Sequence, residues 1–233
     1  MLRLWKWLVL GLVVIIGLAF AGWYFFLKTD PEPRAAIKNT PVVTQSTVAG
    51  ETDSGPDGTW TVKPGNQHNF VGYRVTEKLF ANISESEATG RTDNVTGTMK
   101  IDGTTISDVT VSADLRDLTS DNSFRDGRIR SEGLESDQFP EAKFVLTKPI
   151  ELSAVPTAGT TIKTEATGDF TLHGVTKTVT VSLEGRWDGR QVQVVGNLPI
   201  VFGDYGISAP TAPAVASVDD HAEMELQLFF DRS

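Results

Sequence analysis

From residue 59 onward the chain alternates apolar and polar side chains in short runs, the period-two signature of half-buried strands. The clearest run places Ile162, Thr164, Ala166, Gly168, Phe170 and Leu172 on one face. A turn at His173-Gly174 follows, and Val179, Val181 and Leu183 resume the alternation. Gly174 is free to take the positive φ of a tight turn. Trp60-Thr61-Val62 predicts a short strand, and His68 to Glu77 puts Val71, Tyr73 and Val75 on one side. Val95 to Ile101 is a weaker strand ending at Asp102-Gly103. Val109, Val111, Ala113 and Leu115 mark another, and Ala142, Phe144 and Leu146 another. The last two carry Val192, Val194, Gly196, Leu198 and Ile200, then Ala222, Met224, Leu226, Leu228 and Phe230. Residues 81–94 read as polar and receive no strand.

Ser120 to Gln138 breaks the alternation. Phe124, Ile129 and Leu134 give it one apolar stripe, which predicts a short helix despite Gly127 and Gly133. At least seven alternating strands and one helix define an antiparallel all-β domain, closed barrel or sandwich. The inner faces lean small or slender, which favours a cavity over a plugged interior. Parity nominates Val71, Tyr73, Val75, Val109, Val111, Leu115, Phe144, Leu146, Phe170, Leu172, Val181, Leu183, Val194, Met224 and Leu226 as its lining. Ordinary core packing explains part of such a set.

The N-terminal quarter has a different texture. Residues 7–27 contain no charged side chain, and about 20 apolar residues suffice to cross a bilayer. Arg3 and Lys6 precede the run, and Trp5, Trp7, Trp23 and Tyr24 lie near its ends. The reading is a signal-anchor helix with residues 1–6 in the cytoplasm and the rest outside. Ala19-Phe20-Ala21 resembles a cleavage site, but the apolar run is long for a cleaved signal. Residues 28–58 are rich in Pro, Thr, Ser and Gly and predict a flexible linker spanning roughly 30 Å. The domain proper is then 59–233.

Net charge is −9; the first 38 residues hold five bases and two acids, leaving 16 bases and 28 acids in the remainder. So acidic a domain has no electrostatic footprint for nucleic acid. The absence of cysteine excludes disulfides, thiolate catalysis and Cys-ligated metal. No Gly-x-Ser-x-Gly elbow and no phosphate-binding Gly-x-x-x-x-Gly-Lys run occurs. His68, His173 and His221 lack metal-ligand spacing. His221 and Glu223 share the solvent parity, and His173 reads as a hydrogen-bond partner of its turn. Arg125-Asp126 reads as a lid ion pair, a turn feature or plain surface charge.

Several stretches together resemble the YceI-like family of lipocalin-like periplasmic polyisoprenoid-binding proteins. They are Trp60-Thr61-Val62, His68 to Val75, Arg125-Asp126, Phe139 to Phe144, Gly168 to Lys177, and Asp204 to Ile207. Asn69 stands where the family often has Ser, and Glu77 where a second His is frequent. The resemblance implies an eight-stranded antiparallel barrel whose apolar interior takes an isoprenoid chain, a polyprenyl lipid or an isoprenoid quinone. The expectation is therefore a membrane-tethered, extracytoplasmic lipid-binding protein, single-pass in the cell membrane, without catalysis, metal or cofactor. The alternative is an envelope adaptor with a plugged barrel, and an enzyme working on an apolar substrate ranks third.

Overall fold

The computed structural model describes residues 10–19, 30–38, 55–79, 84–210 and 215–233. In chain order the domain comprises β1 (Gly58–Val62), β2 (Phe70–Leu79), β3 (Ser84–Thr92), β4 (Val95–Asp102), β5 (Thr105–Asp114) and β6 (Thr119–Ser120). Then come β7 (Glu141–Leu146), β8 (Ile150–Glu151), β9 (Thr161–Leu172), β10 (Val175–Trp187), β11 (Gln191–Val201), β12 (Val215–Val218) and β13 (His221–Arg232). Residues 10–19 form helix α1, and Ser123–Arg128 form α2.

Every pairing is antiparallel and the sheet closes on itself. Several ring positions are made of two short strands end to end. β1 and β2 both flank β13, and on their other side they pair with β4 and β3. Only Asp93-Asn94 separates β3 from β4. Merging such segments gives an eight-stranded closed barrel of up-and-down order. The β9–β10 turn is two residues long, with His173 at φ 51° and Gly174 at φ 72°. Two positive φ values match the right-handed twist of the flanking strands, which explains the tight connection.

Asn69, 1% exposed, serves the break between β1 and β2. Its side-chain oxygen accepts the Phe229 amide at 2.7 Å, and Gln227 Nε2 donates to the His68 carbonyl at 2.9 Å. Side chains thus replace ladder bonds that the chain's detour removes from β13. Two apolar clusters occupy the barrel. Trp60, Met99, Ile101, Leu228 and Phe230 fill one end, and Tyr73, Leu115, Leu172, Ile200 and Tyr205 fill the α2 end. Trp60 is fully buried because its indole N–H finds the Pro56 carbonyl at 2.8 Å.

Three expectations change, and a fourth is described only in part. Residues 84–92 are a strand: Ser86, Ala88, Gly90 and Thr92 share one parity while Glu85, Glu87 and Arg91 take the other. In the helical segment only Ile129 and Leu134 pack on the core, whereas Phe124 is 45% exposed, since six residues of α2 do not bring all three onto one face. Within the expected flexible linker, residues 30–38 lie against the barrel wall, held by hydrogen bonds and ion pairs. Of the expected membrane span, α1 is helical and exposed along its length, and residues 7–9 and 20–27 lie outside the described residues. No helix among the described residues is long and apolar enough to cross a membrane.

Candidate functional site

Alternation aims one side chain in two at the barrel axis, and the axis is not filled. The first cavity holds about 160 Å³ of open space at the end away from α2. A water needs roughly 10–15 Å³ on the same footing, so the space far exceeds a packing defect. Its walls are almost wholly apolar and include Val109, Val111, Phe144, Phe170, Val181, Leu183, Val194 and Leu226. The second cavity, about 110 Å³, lies under α2 and is lined by Tyr73, Val75, Leu115 and Leu172. Val71 and Met224 line both, so the two spaces are neighbours with these two side chains standing between them.

All the parity-nominated residues except Leu146 therefore stand on a cavity wall. Leu146 ends β7 half-buried and packs beside Ile150, Leu152 and Ala166, which reach the first cavity where it does not. Parity missed Trp60's end of the barrel, where Met99, Ile101, Val192, Leu228 and Phe230 complete the first cavity. Their alternation was readable in the same strands. Parity also missed Ile129, Leu134, Phe202 and Ile207, which close the second cavity from outside the strands and carry no period-two signal.

The second cavity is the more polar. Tyr73 is buried, and its hydroxyl has no hydrogen-bond partner among the described residues. Burial pushes that phenol well above its usual range. At the cavity mouth Glu77 meets Arg125 Nη2 at 3.4 Å, both side chains largely buried. Arg125 also grips Asp121 at 2.6 Å. Asp126 turns away and accepts the Ser120 amide and hydroxyl at 2.9 and 2.6 Å, so Arg125 and Asp126 are not paired with each other. Asn122 caps α2 through bonds from the Phe124 and Arg125 amides. In the first cavity the buried Trp187 indole N–H also lacks a partner among the described residues.

The histidines do not enter the cavities. His173 Nδ1 lies 3.0 Å from the Tyr205 carbonyl and Nε2 3.0 Å from the Glu135 carboxylate. Its ring packs at 4.3 Å against Phe139, tilted by 59°, and Lys177 pairs with Asp204 at 2.7 Å. The stretches around Phe139, His173 and Tyr205, far apart in sequence, thus form one fastening at the α2 end. His221 is exposed beside Asp220, and no cluster among the described residues has the makings of a metal site.

A closed eight-stranded barrel with an apolar interior and few polar atoms places the molecule among small antiparallel barrels with an internal cavity. The chain belongs to the YceI-like domain family, whose profile matches residues 60–230. A UPF0312 protein of Vibrio parahaemolyticus is 27% identical over 165 residues, covering 67% of this chain and 81% of that protein. One from Shewanella denitrificans is 32% identical over 147 residues, covering 59% and 73%. Among solved structures, a polyisoprenoid binding domain from Saccharophagus degradans superposes with a TM-score of 0.57 at 15% identity, covering 76% of this chain and 99% of that one. Burkholderia cenocepacia BcnA gives 0.52 at 18% identity, covering 69% and 95%. At these identities the structural likeness speaks for the fold.

Proposed function

We propose that the barrel holds a long isoprenoid chain, a polyprenyl lipid or the tail of an isoprenoid quinone, along the axis through both cavities. The observation that carries this reading is the apolar wall of the first cavity, with the second cavity next to it across Val71 and Met224. Each CH₂ moved from water into such a space contributes about 0.8 kcal/mol, so a few isoprene units offset the ordering of a flexible tail. The Tyr73 hydroxyl and the Glu77–Arg125 pair supply polar contacts for the ligand's head at the α2 mouth. The binding role in the name of the Saccharophagus degradans domain supports the same reading.

In this proposal residues 7–27 anchor the protein in the cell membrane, with the barrel on the extracytoplasmic side. A tether suits an apolar cargo that leaves and re-enters a bilayer. No step of bond making is required, and the protein is a carrier rather than an enzyme. Solvent extraction of purified protein followed by mass spectrometry tests the proposal. Recovery of a prenyl lipid is the expected result. An empty barrel that also fails to take up farnesol-type chains and quinones from micelles would falsify it and favour the adaptor alternative.

A further inference from the structure

Residues 30–38 cross the outside of the barrel as a strap. At one end the Asp30 amide donates to the Asp121 carboxylate, immediately before α2 and its cap. Next, the Glu32 amide donates to Thr89 Oγ1 at 2.9 Å, and the Glu32 carbonyl accepts Arg74 Nη2 at 2.7 Å. Arg34 reaches Glu223 at 2.5 Å and Glu87 at 3.3 Å. At the far end the Lys38 amide donates to Gln193 Oε1 at 2.9 Å, and the Lys38 carbonyl accepts Arg186 Nη1 at 3.2 Å. Arg74 and Glu225 stand on the outward parity of β2 and β13, yet each side chain is only 4% exposed. An ion pair on the outside of a barrel is buried only when something covers it, and the strap does so.

The direction of the strap matters. It begins beside α2 and runs toward the opposite mouth. On the tether reading above, the anchor ends at Leu27, and the three steps from residue 27 to residue 30 span at most about 11 Å. The α2 mouth is thereby kept close to the bilayer. A twelve-residue strand tilted as barrel strands are puts the other mouth roughly 30 Å further out. Phe124, 45% exposed on α2, lies on the rim of the second cavity. Val155, 50% exposed, lies in the β8–β9 connection at the other end.

We infer that the strap orients the barrel so that the mouth bearing α2 faces a lipid surface, with Phe124 entering the interface. An unstrapped coil over the whole of 28–58 would let the barrel tumble, because its span of roughly 30 Å rivals the barrel's own height. The strap turns a leash into a bracket. Cargo then enters and leaves through the second cavity, past Glu77 and Arg125. This inference rests on the proposed tether and adds the choice of mouth.

The chain has no cysteine, so a single introduced thiol takes a label uniquely. Full-length Phe124→Cys and Val155→Cys, each carrying a nitrobenzoxadiazole dye, are placed in vesicles of phosphatidylcholine and phosphatidylglycerol containing brominated acyl chains. The expected result is quenching at least threefold stronger at position 124. Equal or reversed quenching in protein that floats with the vesicles overturns the orientation and leaves the tether standing. Failure to float overturns the tether and the orientation together. A chain with residues 30–38 replaced by glycine and serine should float while the two labels converge. Persistence of the difference in that chain overturns the strap's part.

Discussion

Two aromatic rings lie across glycines in the barrel wall. A Cβ at Gly90 would come within 2.5 Å of the Tyr73 ring, and one at Gly168 within 2.5 Å of the Phe144 ring and closer still to the Val145 carbonyl. Each ring is recessed where the neighbouring strand has no side chain, which leaves the axis open. Gly168→Ala should therefore cost about 1–3 kcal/mol by urea denaturation, the range for overpacking a filled site. Tyr73 also carries a buried hydroxyl without a partner among the described residues, a burden of about 1–3 kcal/mol in the empty barrel. Tyr73→Phe should raise the melting temperature of lipid-free protein while weakening ligand uptake. A variant unchanged in both would remove Tyr73 from the site. At this scale the cavity wall was legible, because period two states which side chain faces the axis. What parity could not state was where a strand leaves the cavity, and Leu146, half-buried at the end of β7, lies beyond its wall.

Among elements, β3 and the strap were the least legible, for related reasons. The inward residues of β3 are Ser, Ala, Gly and Thr, so no hydrophobic alternation marks them. Its outward Glu87 and Arg91 look like ordinary solvated charges until Arg34 and Glu32 are laid across them. The strap has no period because backbone groups and single charges hold it, not an apolar face. This bonding predicts its sensitivity to acid. The bond from Arg34 holds the Glu223 carboxyl below its ordinary value of 4.5, with a further bond from Asn197. A carboxyl lowered in the folded state stabilises at neutral pH, and that stabilisation is lost as pH falls below about 4.5 through the folded value. A dye on Ala35→Cys should keep high anisotropy at pH 7 and lose it on acidification. Glu223→Gln should lower the anisotropy already at pH 7, and molar salt should act in the same direction on so exposed a pair.

For the whole molecule, the sequence pattern reached antiparallel all-β and stopped between barrel and sandwich. The decisive fact is that β13 meets β1 and β2, a pairing of chain ends on which local alternation is silent. Family resemblance supplied the barrel where periodicity did not. Because the cavity belongs to the assembled ring, filling it should separate fold from cargo. Val194→Trp should keep the far-ultraviolet circular dichroism of the parent and lose co-purified lipid by mass spectrometry. Retention of the lipid at parental yield would count against the axis as its berth.

The ring's last seam joins residues 172 positions apart, Ser233 to Thr61, beside the Trp60–Arg232 register. Contacts of such long range form slowly. Until β13 arrives the chain is an open sheet with two bare margins, each able to recruit another molecule. Loss of the final dozen residues would therefore do more than trim a strand: it would turn a closed ring into a sticky ribbon prone to polymerise.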